Sequence, residues 1–132
     1  MIVDTSAIVA ILKNEPGWEL LSQYLESSRS SKMSASSYFE LCIVVDRWKN
    51  PTLSSRVDEL IQQFKIEIEP FSFEQARIAR QAYRDYGRGS GHPANLNFGD
   101  CFSYALARAR REPILFKGGD FSQTDLPSAV DG

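Results

Sequence analysis

The sequence predicts an α/β fold, a three-layer α/β/α sandwich with a central, mainly parallel sheet, and three observations carry that expectation. Short apolar segments of strand character alternate along the chain with longer segments of helical periodicity. Strands separated by helices pair in parallel, and right-handed crossovers lay the helices over both faces of the sheet. A length of 132 residues with 42% hydrophobic content suits one domain spanning 1–132, built on one sheet.

Taken in order, Ile2-Val3 is the first strand, and Thr5-Ser6 open a helix running to Leu12, with Asp4 between the two. Glu15-Pro16-Gly17 breaks the chain, after which Trp18, Leu21, Tyr24 and Leu25 mark one face of a second helix that ends in the serine-rich stretch 27–31. Lys32 to Ala35 forms the second strand. The helix after it, from Ser36 or Ser37 to about Lys49, is apolar nearly all round through Phe39, Leu41, Cys42, Ile43, Val44, Val45 and Trp48, and so needs covering on more than one side. Asn50-Pro51 stops it, and Val57, Leu60, Ile61 and Phe64, three and four apart, give a helix over 54–64. Ile66-Glu67-Ile68-Glu69 alternates as the third strand, followed by a helix from about Phe73 to Tyr86. The glycines and proline of 87–93 open a loop, to about residue 97, that is flexible by composition. A helix from about Phe98 to Arg111, a strand Ile114-Leu115-Phe116, a turn Lys117-Gly118-Gly119-Asp120 and an edge strand over 128–130 complete the chain.

Composition excludes several classes of function. No apolar run reaches the length of a bilayer and no charged-then-apolar leader precedes the first strand, so a soluble, cytoplasmic protein with no membrane partner is expected. Cys42 and Cys101 lie in apolar helical patterns without CxxC spacing, and read as reduced core thiols rather than metal ligands. A net charge of −2 gives no global nucleic-acid footprint; a polyanionic partner would need a local basic surface and a metal.

The chemistry follows from where the acids fall. In a parallel α/β sheet the strand C-termini and the following helix N-termini share one edge, which brings together Asp4, Glu40, Asp100 and Asp120. Each also has a purely local explanation. Asp4 reads as a helix N-cap, Ser37-x-x-Glu40 as a formal capping box, Asn97-x-x-Asp100 as a cap with an acid at N3, and Gly119-Asp120 as a turn. Four carboxylates on one edge repel one another unless a cation neutralises them, and an all-oxygen set suits Mg²⁺, with Mn²⁺ as the other candidate. Arg77, Arg80, Arg84 and Arg88 recur at helical spacing and form either a solvated face or a phosphate-binding one.

These residues resemble the PIN-domain ribonucleases, and among them the VapC toxins of bacterial toxin–antitoxin pairs, over nearly the whole chain. The resemblance rests on Ile2-Val3-Asp4-Thr5-Ser6-Ala7, on Ser36-Ser37-Tyr38-Phe39-Glu40, on the run from His92 through Asn97-Phe98-Gly99-Asp100 to Ala107, and on Leu115-Phe116-Lys117-Gly118-Gly119-Asp120-Phe121 through Asp125. It implies a single PIN domain in which Asp4, Glu40, Asp100 and Asp120 occupy the four acidic catalytic and metal positions, while Thr5 and Ser6 match the hydroxyl positions beside the first acid. Gly119 stands where many relatives carry a further acid. The implied reaction is hydrolysis of RNA phosphodiester bonds, with Mg²⁺ on the carboxylates lowering the pKa of water and neutralising charge on the phosphate, so that no histidine base is required. The implied partners are an RNA substrate, a VapB-type antitoxin and a second copy of the chain, for which Leu41, Val45 and Trp48 would offer apolar surface. Arg80, Arg84, Arg88 and the sole histidine, His92, are the candidates for contacting RNA. Two other readings stay open at this point: a catalytically inactive PIN-like interaction module, and a Mg²⁺-dependent phosphatase, against which Ser6 argues by standing where such an enzyme places a second acid.

Overall fold

Four parallel strands, β1 (Ile2–Val3), β2 (Ser31–Ser34), β3 (Ile66–Glu69) and β4 (Ile114–Leu115), form one sheet in the order β3-β2-β1-β4. They belong to a computed structural model that describes residues 1–130. Six helices connect and cover them: α1 (Thr5–Leu12), α2 (Trp18–Ser27), α3 (Ala35–Asp46), α4 (Pro51–Gln63), α5 (Phe73–Tyr86) and α6 (Asp100–Arg110), with a 3-10 turn at Phe121–Gln123.

The strand order explains the layers. From β1 to β2 to β3 the chain steps outward in one direction, and from β3 to β4 it returns past both neighbours. Right-handed crossovers therefore place α1 to α4 on one face and α5 and α6 on the other. Strand residues alternate accordingly. Val3, Met33 and Leu115 pack with Ala7, Ile8, Leu41, Val57 and Leu60, whereas Ile2 packs with Leu106 and Ala107, and Ile114 with Ala105 and Phe121. Both sides of so short a sheet are thus covered, and all four strand N-to-C directions point at the same edge.

Several boundaries differ from the sequence reading, each for a local reason. Strand β2 ends at Ser34, whose hydroxyl accepts the Ser36 N–H as the N-cap of α3. Helix α3 therefore begins at Ala35, and the formal Ser37/Glu40 capping box does not form. Helix α4 begins at Pro51 rather than Ser54, because Asn50 accepts the Thr52 and Leu53 N–H groups as N-cap and proline is preorganised for the first helical position. Over 128–130 there is a single bridge, Ser128 to Ile114, in place of an edge strand. The glycine-rich loop is pinned where it rejoins the body: Gly87 bridges Leu96, and Ala94 and Leu96 are buried. The apolar surface expected of Leu41 and Val45 is absent, since both are fully buried core residues, and Trp48 is half-buried with Lys13 Nζ 4.7 Å above its ring. The large apolar residues that α3 does expose are Phe39 and Ile43. Cys101 is buried, in keeping with a core thiol, whereas Cys42 is only half-buried. No helix among the described residues is long and apolar enough to cross a membrane.

Candidate active site

Asp4 lies where β1 gives way to α1, and its backbone N–H donates to the Leu115 carbonyl of β4, which fixes it at the strand edge. It is the N-cap of α1: Oδ2 accepts the Ser6 N–H at 3.0 Å and the Ser6 hydroxyl at 2.6 Å. An ordinary cap faces water, but Asp4 is 4% exposed and its other oxygen accepts the Ser103 hydroxyl of α6 at 2.5 Å. Burial pushes its carboxyl above the usual carboxylate range, against the pull of those serine and backbone donors.

The neighbours of Asp4 tie the other acid-bearing segments to it, one bond each. Thr5 Oγ1 donates to the Ser37 carbonyl at 3.0 Å and so holds α1 against the first turn of α3, the helix that carries Glu40. Ser6 Oγ, already donating to Asp4, accepts the Lys117 N–H at 3.0 Å at the start of the turn that leads to Asp120. Ser103 binds α6, which begins at Asp100, directly to Asp4, and its oxygen lies 3.3 Å from the hydroxyl of Ser37. Ser37 and Ser103 are both wholly buried. Thr5 and Ser6, singled out in the sequence for their hydroxyls, therefore act as ties between segments.

Asp100 is 8% exposed and exchanges hydrogen bonds with Asn97: its N–H donates to the Asn97 side-chain oxygen at 2.8 Å, and its Oδ2 accepts the Asn97 N–H at 3.0 Å. The two residues pair as the spacing suggests, but they close the turn ahead of α6: the helix begins at Asp100 itself, and its N-cap position, Gly99, carries no side-chain cap. Burial, with the nearby Asp4 and Asp120 carboxylates adding to it, pushes Asp100 up to about 7. Glu40 also stands above its ordinary value, mainly through burial, with the Thr5 hydroxyl pulling it down and the Asp4 charge pushing it further up. Its carboxylate rests on the backbone of Gly99: a Cβ placed there would lie 1.8 Å from Glu40 Oε2. Asp120 is exposed, makes no side-chain cap bond, and lies near enough to Asp100 to add to the rise in that residue's proton affinity.

All four acids thus reach one edge, and sequence reasoning does not single out two serines that arrange them, Ser37 and Ser103; Gly99, a glycine suited to close approach at a helix start, proves to be approached by Glu40. The one available signal for the two serines was polarity at positions where the helical pattern otherwise runs apolar. Of the other candidates, Arg80, Arg84 and Arg88 are exposed on or just after α5, while His92 accepts the Ala94 N–H at Nδ1 and packs edge-on against Tyr86.

As they stand, no three acidic, histidine or cysteine side chains among the described residues are arranged to hold a metal ion. The donor chemistry nonetheless fits a hard divalent cation, because the set is all carboxylate and its members raise one another's proton affinity, a repulsion that a cation relieves.

Residues 1–126 match the PIN domain family. Ribonuclease VapC42 of Mycobacterium tuberculosis is 54% identical over 129 residues, covering 98% of each chain, and Ribonuclease VapC28 of the same organism is 52% identical over 131 residues, covering 99% of this chain and 98% of the relative. Among solved structures, Mycobacterium tuberculosis VapC20, described as a sarcin-ricin loop cleaving toxin, superposes with a TM-score of 0.72 at 17% identity over 95% of each chain. A toxin–antitoxin complex from Klebsiella pneumoniae gives the same TM-score at 15% identity, over 98% of this chain and 96% of that one. At such identities the likeness shows the fold, and it shows the same fold that the strand order and layers describe. With a family match over nearly its whole length and relatives above half identity, the chain belongs to the PIN-domain family, among its VapC members.

Proposed function

We propose that this protein is the ribonuclease toxin of a toxin–antitoxin pair, an endoribonuclease that uses Mg²⁺, or Mn²⁺ in its place, to hydrolyse RNA phosphodiester bonds. The observation that carries the reading is the convergence of Asp4, Glu40, Asp100 and Asp120 on one sheet edge through ties that all pass through residues 4–6. The relatives' names, Ribonuclease VapC42 and VapC28, support RNA as substrate. The four carboxylates would hold the ion, which supplies neutralisation of phosphate charge and a water of lowered pKa.

The chain's own residues do the positioning. Ser6 and Ser103 occupy lone pairs on both oxygens of Asp4 and so fix the plane of its carboxylate, and Asn97 does the same for one oxygen of Asp100. Gly99 leaves the space into which Glu40 extends. Arg80, Arg84, Arg88 and His92 are assigned to the RNA backbone. A VapB-type antitoxin is the assigned protein partner, supported by neighbours described as toxin–antitoxin complexes, and a homodimer would use exposed apolar residues such as Phe39 and Ile43 in place of the buried Leu41 and Val45.

The test is to incubate total cellular RNA with the protein and with Asp4→Asn, in Mg²⁺ and in EDTA, and to map new 5′ ends. Discrete ends that need Mg²⁺ are expected, and Asp4→Asn should cost several kcal/mol of barrier, on the order of 10²- to 10³-fold in rate. Cleavage by Asp4→Asn at the unsubstituted rate in saturating Mg²⁺ would overturn the assignment. Absence of any fragment would favour an inactive interaction module instead.

A further inference from the structure

Between α5 and the start of α6, the helix that carries Asp100, lies an open cleft of about 400 Å³ whose walls include Phe71, Ala79, Tyr83, Phe98 and Phe102. Phe98 is the residue that joins this cleft to the acid site. It precedes Gly99, on which the Glu40 carboxylate rests, and stands two residues before Asp100. Its ring is 76% exposed, yet it is braced: it meets Phe102 edge-on at 4.9 Å and 78°, and Phe102 in turn meets Phe71 at 4.9 Å and 77°. Tyr83 on the facing helix is 41% exposed. Arg80 and Arg84 line the same cleft, and among the described residues neither takes part in an ion pair.

An apolar, aromatic floor with two uncompensated guanidinium groups on its wall discriminates between occupants. An aliphatic peptide segment would cover the rings and leave the charges unmatched. A nucleotide satisfies both, since every base offers a π-face to stack on a ring and every phosphate a charge to meet a guanidinium. We propose that Phe98 is a stacking platform for an unpaired base of single-stranded RNA, held in this cleft with its phosphates toward Arg80 and Arg84. The inference rests on the reading of the site as a ribonuclease, and it adds a substrate-recognition subsite to it. The braced ring needs no rearrangement to receive a base, and it adjoins in the chain the Gly99-Asp100 segment of the acid site.

The test pairs a ring change with a base change. Binding is measured in the Asp4→Asn background, so that RNA survives, with two probes: a short single-stranded RNA of random sequence, and a ribose-phosphate chain of the same length and charge with no bases. Phe98→Ala should weaken binding of the RNA by about 5- to 150-fold, the range one stacked base carries, while leaving the already weaker binding of the base-free chain unchanged. Phe98→Tyr should restore RNA binding, and because the ring is exposed, none of these changes should move the melting temperature appreciably. The proposal is overturned if Phe98→Ala weakens both probes equally, or neither. It is also overturned if Phe98→Ala binds both probes normally but escapes inhibition by a co-expressed VapB-type antitoxin, which would assign the cleft to a protein segment. In either case Mg²⁺-dependent cleavage of RNA by the unsubstituted chain leaves the ribonuclease reading standing; failure to cut or bind RNA at all removes both.

Discussion

The inner and outer halves of the acid site are built on opposite plans. Asp4 and Asp100, the inner pair, are buried and have named donors on their oxygens: Asp4 caps α1, and Asp100, the first residue of α6, closes the turn that leads into it through Asn97. Glu40 and Asp120, the outer pair, are more open: Glu40 extends from the second turn of α3 over a bare backbone, and Asp120 stands in an exposed turn and makes no side-chain cap bond. Asp4 illustrates that a cap and a ligand are not competing explanations of one aspartate. Capping uses one or two lone pairs and fixes the carboxylate plane, leaving the remaining lone pairs aimed in a known direction. The outer pair has no such fixing, which would suit side chains that adjust if a cation and a phosphate bind there as proposed. A site with one rigid and one adjustable half holds its geometry without needing every ligand preset.

The sharpest way to break that contrast is at Gly99, where the two halves touch. Its backbone angles, φ −66° and ψ −37°, are ordinary for any residue, so conformational freedom is not the reason for a glycine there. The reason is Glu40, whose Oε2 would lie 1.8 Å from an added Cβ. Because the obstructed atoms are the far end of a flexible side chain, Gly99→Ala should leave the melting temperature nearly unchanged while displacing Glu40, with a loss of about 100-fold in RNA cleavage, the scale expected of a misplacement of about 1 Å. A matching loss in Glu40→Gln would confirm the route; full activity in Gly99→Ala would show that Glu40 is not needed where it stands. A smaller effect is expected at the exposed end. Asp120→Asn should raise the Mg²⁺ concentration for half-maximal cleavage by about tenfold, the low end for changes around a metal site, with the rate recovering at saturation. If it instead abolished cleavage at saturating Mg²⁺, as Asp4→Asn should, the division into rigid and adjustable halves would fail.

The same division tracks what the sequence could disclose. Asp4 and Asp100 are legible because strand-to-helix transitions and polar spacings are local grammar: the Asp4 cap forms, and Asn97 and Asp100 pair as their spacing suggests, though in the turn ahead of α6 rather than as its cap. Glu40 is placed by the strand topology as well as by family resemblance, while its apparent local role does not form: Ser34 caps α3, so the spacing from Ser37 to Glu40 is incidental. The ties were not legible at all. Ser103 reaches Asp4 across 99 positions and Ser37 across 66, and a serine inside a helical pattern looks the same whether it faces water or a buried carboxylate. The start of α4 differs for a reason that is itself local: Asn50-Pro51 stops α3, and asparagine and proline in that order also begin a helix.

The smallest expected effect concerns stability, and it separates the ligand role of Asp100 from its role in the turn ahead of α6. Burial, with Asp4 and Asp120 nearby, raises its folded-state value from an ordinary 3.8 to about 7. A raised folded-state value means that the folded protein holds a proton the unfolded chain releases. In the metal-free protein the penalty is therefore absent below about pH 4, where both states are protonated, grows as pH rises from there toward 7, and is fully present above it. Asp100→Asn removes the charge but keeps an oxygen able to accept the Asn97 N–H, so the turn survives. The variant should melt higher than the unsubstituted protein at pH 7 in EDTA, by on the order of a few degrees for a domain of this size, and the difference should vanish by pH 4. Mg²⁺ should stabilise the unsubstituted protein more than the variant, narrowing or reversing the gap. Thermal melts of both proteins across that pH range, with EDTA and with Mg²⁺, decide the matter: a variant destabilised by the same margin in every condition would confine Asp100 to closing that turn and nothing more.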